Sequence, residues 1–249
     1  MSAASHEEAC ARVAALYPQR WLRHYASGKL RSDTVFALAF ELVRNSDEPL
    51  LDVGCGVGLL PFYLRERGFG PAILGLDTDA RKVQQAIRAA QSRYEQVEFV
   101  ELDVRDELPA FCGNVALLDV LHYLEPTRQG PLLSTLAQCV PAEGTLFLRD
   151  APREGTARFW ITYACEIFAQ TISWNLRTPL HFATREAITA PFDDAGFTRE
   201  EQPAHGGGPF NNRLFVFRRR QSAVAPAGES QNDTRASAGV AGSTRDTAR

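Results

Sequence analysis

Apolar positions recur along the chain in two rhythms. Short apolar-rich runs read as buried strands: Leu50 to Val53, Ala72 to Leu76, Val97 to Leu102, Val115 to Leu118 and Thr145 to Arg149. Between them the apolar spacing turns helical. Val35, Leu38, Ala39, Leu42 and Val43 share one helix face, as do Val83, Ala86, Ile87 and Ala90, and then Leu132, Leu133 and Leu136. Leu59 to Arg67 predicts a helix with Pro61 in its first turn and Gly68 at its end. Five alternations of strand and helix predict an α/β fold, a doubly wound, mostly parallel sheet with helices on both faces.

Further elements flank this frame. Residues 6–18 predict a short helix. Residues 154–173 predict a long one rich in aromatics, with Phe159, Trp160, Tyr163 and Phe168. A helix from Thr184 to Ala195 stops at Gly196, and Phe197 to Gln202 and Arg213 to Phe217 alternate as two closing strands. Trp174, Asn175, His181 and Phe182 fall in a connection, and His205 to Asn212 forms a glycine-rich loop. The expected organisation is an N-terminal helical cap (1–46), a main domain (47–220) with a lid insertion near 154–182, and a disordered tail (221–249). The tail has no aromatic residue with which to build a core.

The first strand runs into Asp52-Val53-Gly54-Cys55-Gly56-Val57-Gly58. Glycines at every second position allow a sharp turn and a ligand lying against the main chain, and a helix start follows. A dinucleotide fingerprint would need its third glycine where this chain has Leu59. Asp52, two residues before the first glycine, would repel a phosphate and suits a cationic or zwitterionic ligand. Asp77 ends the second strand, 23 residues past Gly54, where an acid accepts hydrogen bonds from ribose hydroxyls. Thr78 follows it, and Asp79 suits the cap of the next helix.

The glycine stretch resembles motif I of class I S-adenosylmethionine-dependent methyltransferases. The resemblance implies a Rossmann-like methyltransferase fold with an antiparallel last strand, and S-adenosyl-L-methionine as cofactor. It places Asp52, Gly54, Cys55, Gly56 and Gly58 around the methionine part, and Asp77 and Thr78 at the ribose. Asp103 would accept from the adenine amino group, while the backbone N–H of Val104 meets a ring nitrogen. Asp119 and the segment after it would lie beneath the sulfonium. The N-terminal piece would cover the methionine end, with Tyr25 and Lys29 as candidates to reach it or, equally, a packed tyrosine and a solvated lysine. The 154–173 helix would be a substrate lid, and the loop at 205–212 would lie at the mouth.

Methyl transfer from an activated donor mainly needs positioning, with a base only if the acceptor must lose a proton. His122, just after the fourth strand, is the candidate base, and a structural histidine is the alternative; His181 and His205 are weaker candidates. Asp119-Val120-Leu121-His122 departs from the Asn/Asp-Pro-Pro-aromatic pattern of DNA amino-methylation. Asp119 and Asp150 fit metal-dependent catechol methylation, but Ala151 stands where that pattern has Asn, so no metal is expected. The paired glutamates of arginine methyltransferases are not evident.

A narrower resemblance adds to this. Gly28-Lys29-Leu30-Arg31 with Asp33, Leu118 to Leu124, Trp174-Asn175, and Gly207-Gly208-Pro209-Phe210 with Asn212 are similar to methyltransferases of bacterial aryl-polyene pigment clusters. Thr34 stands where that pattern has Pro. The resemblance implies secondary metabolism and an aromatic acceptor on a polyketide-type chain, methylated on oxygen or carbon. The alternative from another class is a non-catalytic S-adenosylmethionine-binding regulatory or partner protein.

Composition narrows the partners. The chain has 249 residues and a formal net charge of −3, with Arg218-Arg219-Arg220 as its only notable basic run. That argues for a small-molecule acceptor and against nucleic acid. Five scattered cysteines lack metal or disulfide spacing. The polar, acidic start carries no secretory pattern, and no stretch is long and apolar enough to span a bilayer, so the expected location is cytoplasmic.

Overall fold

The computed structural model describes residues 3–220 apart from 92, 107, 173–178 and 207, and for 168–172 the backbone alone. The expected tail (221–249), Trp174, Asn175 and Gly207 lie outside the described residues, as does the side chain of Phe168. Seven strands occur among the described residues: β1 (Leu50–Val53), β2 (Ile73–Asp77), β3 (Val97–Glu101), β4 (Asn114–Leu118), β5 (Thr145–Asp150), β6 (Phe197–Pro203) and β7 (Arg213–Arg219). They form one sheet in the order β3-β2-β1-β4-β5-β7-β6. The first five are parallel, and β7 inserts antiparallel between β5 and β6.

The strand order reverses between β1 and β4, which opens a crevice beyond their carboxyl ends. β1 is buried along its whole length because it is central and covered on both faces. Alternate strand side chains feed two cores. Leu50, Ala116, Phe147 and Val216 pack on one face with the N-terminal helices. Leu51, Val53, Val115, Leu117 and Leu148 pack on the other, with Phe192, Phe215 and Phe217.

Eight α-helices occur among the described residues: α1 (His6–Ala15), α2 (Arg20–Ser32), α3 (Val35–Val43), α4 (Leu59–Glu66), α5 (Ala80–Ala90), α6 (Pro126–Gln138), α7 (Ala157–Ile172) and α8 (Arg185–Asp194). Ser5 and Glu8 close a capping box on α1. Asp79 caps α5 and Thr184 caps α8. α1 to α3 form the N-terminal layer, and α2 exists where the apolar spacing was too irregular to announce it. No described helix is long and apolar enough to cross a membrane.

Candidate active site

The cleft at the strand-order reversal has a volume of about 510 Å³ and is lined from β1, β2, β4, α2, α7 and the loops between them. Its floor is the glycine turn. Gly54, Gly56 and Gly58 all have positive φ, at 80°, 57° and 87°. A Cβ on Gly54 would stand 2.2 Å from the Val120 side chain, and one on Gly58 would strike Phe62 and Phe99 at 2.8 Å. A Cβ on Gly56 would meet nothing within 4 Å. Gly54 and Gly58 are therefore glycines for packing as well as for backbone shape, and Gly56 for backbone shape alone.

Two side chains hold this turn. Asp77 accepts the N–H of Gly56 at 2.8 Å on one carboxylate oxygen and the N–H of Asp79 at 2.8 Å on the other. The buried Tyr17 donates its hydroxyl to the carbonyl of Val57 at 2.8 Å. Tyr17 escaped sequence reasoning, since it stands 40 residues from its partner at the end of a predicted helix.

Asp52, Gly54, Cys55, Gly56, Asp77, Thr78, Asp103, Val104 and Asp119 all line the cleft. Gly58 is set one step back, at the start of α4. Burial, with the Asp77 carboxylate nearby, pushes Asp52 up to about 7. Asp103 is held by Arg105, through its backbone N–H at 2.9 Å and its guanidinium. That hydrogen bonding keeps the Asp103 carboxyl below its ordinary range.

At the other end the cleft is closed by a charge cluster. Arg149 is 2% exposed although it ends a strand. Its guanidinium meets Asp119 on β4's outgoing loop and Asp33 at the end of α2, the latter at 2.5 Å. Lys29 adds contacts to Asp33 at 2.9 Å and Asp119 at 3.8 Å. Burial alone would raise Asp33, but the two cations outweigh it and bring its pKa to about 2. Asp119 holds φ at 59°, a left-handed conformation unusual for a residue other than glycine. Arg149 was not visible as a site residue because a strand-end arginine carries no sign of partners so distant in sequence.

His122 sits behind the wall of the cleft and does not line it. It is 2% exposed, stacks on Phe182 with 4.8 Å between ring centroids, and Nδ1 lies 2.9 Å from Asp150 Oδ1. Burial alone would lower its pKa, but the Asp150 carboxylate beside it raises it to about 9. The imidazole is then a cation at neutral pH, with no lone pair left to take a proton. His181 gives its backbone N–H to the carbonyl of His122 at 2.7 Å, and the His205 ring lies 3.3 Å from Arg158.

Phe159, Trp160 and Tyr163 of the predicted lid helix do not line the cleft. Tyr25, Phe36 and Tyr123 line the cleft. Phe159 and Tyr163 pack against Phe182 instead, and Trp160 is 60% exposed. α7 sends Glu166 into the cleft, a residue that sequence reasoning did not single out. The loop at 205–212 is held to α7 by the Asn211 N–H on Thr162 at 2.8 Å. Among the described residues no group of three or more His, Cys, Asp or Glu is placed to hold a metal ion.

The family model described as a methyltransferase domain matches residues 22–202. The chain belongs to that family. No curated protein matches it in sequence. Among solved structures it is similar to magnesium protoporphyrin IX methyltransferase from Synechocystis, crystallised with S-adenosylhomocysteine. The identity is 20% and the TM-score 0.58, over 84% of this chain and 93% of that one. It is similar also to the pyocyanin biosynthetic protein PhzM, at 16% identity and TM-score 0.61, over 83% of this chain and 60% of that one. A third likeness is to the N-methyltransferase NodS from Bradyrhizobium japonicum, at 16% identity and TM-score 0.56, over 88% of this chain and all of that one. These likenesses fix the fold as the Rossmann-like methyltransferase fold.

Proposed function

We propose that this methyltransferase moves the methyl group of S-adenosyl-L-methionine to a small aromatic acceptor, on oxygen or carbon. One observation carries the reading: a left-handed glycine turn shares one cleft with Asp52, Asp77, Asp103 and Asp119 and with the rings of Tyr25, Phe36 and Tyr123. The carboxylates suit a ligand that is cationic and rich in hydroxyl and amino donors. The rings suit a flat apolar molecule, and Lys29, Arg105 and Arg149 at the cleft are paired with Asp33, Asp103 and Asp119 rather than aligned to track phosphates.

The cofactor, when bound, supplies a methyl group already activated on a sulfonium. Asp77 would hold the ribose hydroxyls and Thr78 would stand beside them. Asp103 and the Val104 N–H would meet the adenine edge. Gly54, Cys55, Gly56 and Gly58 would pass under the methionine part, with Asp52 balancing positive charge from below and Asp119 closing the far side. Holding donor and acceptor in line supplies most of the acceleration in such a site. An aryl-polyene-type acid, as the narrower sequence resemblance implies, is the acceptor class to try first.

Calorimetric titration with S-adenosylmethionine, S-adenosylhomocysteine and NAD tests the cofactor, and the first two are expected to bind. A screen of phenols, aryl-polyene-like acids and nucleic acids with labelled cofactor tests the acceptor. Methyl incorporation into RNA or DNA alone would sink the small-molecule reading.

A further inference from the structure

The carboxyl groups that line the cleft are nearly all committed. Asp77 holds two backbone N–H groups, Asp79 and Asp103 hold Arg81 and Arg105, and Asp119 holds Arg149. Asp52 lies at the buried end of β1, beneath the glycine turn. Glu166 is different. It reaches the cleft from α7, beside Tyr25, Lys29, Asp119 and Tyr123, and makes no hydrogen bond or ion pair with a described residue.

Lys29 and Arg149 cannot neutralise it without loss, because each is already shared between Asp33 and Asp119. His122 is the other charged group it faces, with Asp150 behind. The Nε2 of His122 is buried without a hydrogen-bond partner, and the imidazolium and the Glu166 carboxylate act on each other. Burial pushes the Glu166 carboxyl above its ordinary range, and the His122 cation opposes this. A carboxylate that lines the cleft beside Tyr25 and Tyr123 thus has a buried cation behind the wall and no hydrogen-bonded or ion-paired partner among the described residues.

Resting on the methyltransferase reading above, we propose that Glu166 is the base that takes the proton of a hydroxyl on the acceptor. The acceptor's oxygen–methyl bond forms as the sulfur–methyl bond of the cofactor breaks. The electron pair of the broken bond stays on sulfur, which becomes a neutral thioether, and the hydroxyl proton ends on a Glu166 carboxylate oxygen. His122, buried and held by Asp150, does not line the cleft and does not itself accept the proton. The acceptor class is narrowed to molecules whose hydroxyl is weakly acidic, such as simple phenols with a pKa of about 10.

The test uses the full chain loaded with S-adenosylhomocysteine and two probes at mildly alkaline pH, 4-methylphenol (neutral) and 4-nitrophenol (ionised). Against wild type, Glu166→Gln should weaken binding of the neutral phenol, because the carboxylate acceptor is gone. It should strengthen binding of the phenolate, because a repelling charge is gone. Glu166→Asp should keep the wild-type order. Turnover with labelled S-adenosylmethionine should fall about 10²-fold or more for 4-methylphenol in Glu166→Gln and much less for 4-nitrophenol, which needs no base. Shifts of the same sign for both probes, no shift, or no phenol binding by wild type would overturn the assignment. Failure of S-adenosylhomocysteine to bind wild type would instead overturn the methyltransferase reading beneath it.

Discussion

Asp77 holds the glycine turn in place by accepting the N–H of Gly56 at 2.8 Å. The same carboxylate is the group proposed for the cofactor's ribose, so on that reading one side chain both shapes the turn and binds the ligand.

Replacing it is therefore expected to act twice. Asp77→Asn should weaken binding of S-adenosylmethionine and S-adenosylhomocysteine by about 1.5–3 kcal/mol, the range for a hydrogen bond to a charged group. It should also lower stability by about 1 kcal/mol through the loosened turn. Calorimetry and urea unfolding measure the two. An unchanged dissociation constant would leave Asp77 as a structural clasp only.

Arg149 offers a sharper stability test. Arg149→Met keeps most of the apolar stem but leaves Asp33 and Asp119 facing each other without their shared cation. Removing one partner of a buried ion pair costs about 3–5 kcal/mol. The lower end is expected here, because Asp119 is partly open to the cleft and Lys29 remains. A melting temperature close to wild type would show that the cluster carries little net energy.

Asp52 makes stability depend on pH in a stated direction. Its folded pKa of about 7 lies above the ordinary 3.8, so the unfolded chain loses that proton first as pH rises. The group's contribution to stability therefore falls between about pH 4 and pH 7 and is flat above. Asp52→Asn should remove this slope from urea unfolding of the ligand-free protein. A cationic ligand favours the carboxylate, so S-adenosylmethionine should bind more tightly at pH 8 than at pH 6, and equal affinities would count against Asp52 facing the charge.

His122 gives the complementary window. Its folded pKa, raised to about 9 from 6.5, means that its pairing with Asp150 stabilises fully below pH 6.5 and is lost as pH rises through 9. His122→Asn should flatten unfolding free energy between those limits and destabilise the protein at pH 6. An unaltered alkaline slope in the variant would place the titration elsewhere.

Most of the frame was legible in the sequence, since buried parallel strands and amphipathic helices differ in period. Val97 to Leu102, Thr145 to Arg149 and Gly68 mark structural boundaries to within a residue or two. The line of cleft acids was legible too, because parallel strands put their last residues on one edge. What was hidden depends on contacts between distant segments. Arg149 reads as the end of a strand, and its partner Asp33 stands 116 positions earlier. Glu166 reads as one polar position on an apolar helix. His122 looked placed for the cleft, but Asp150 and Phe182 hold its ring behind the wall.

The cluster around Arg149 also gives the two walls of the cleft unlike characters. On one side, charge bolts the end of α2 to the ends of β4 and β5. On the other, α7 rests on the Phe159 ring against Phe182 and on Thr162 against Asn211. On the reading proposed above, the charged side is the fixed frame of the cleft and α7 its replaceable panel. Substitutions along α7 are then expected to change which acceptors are admitted more than how the cofactor is held.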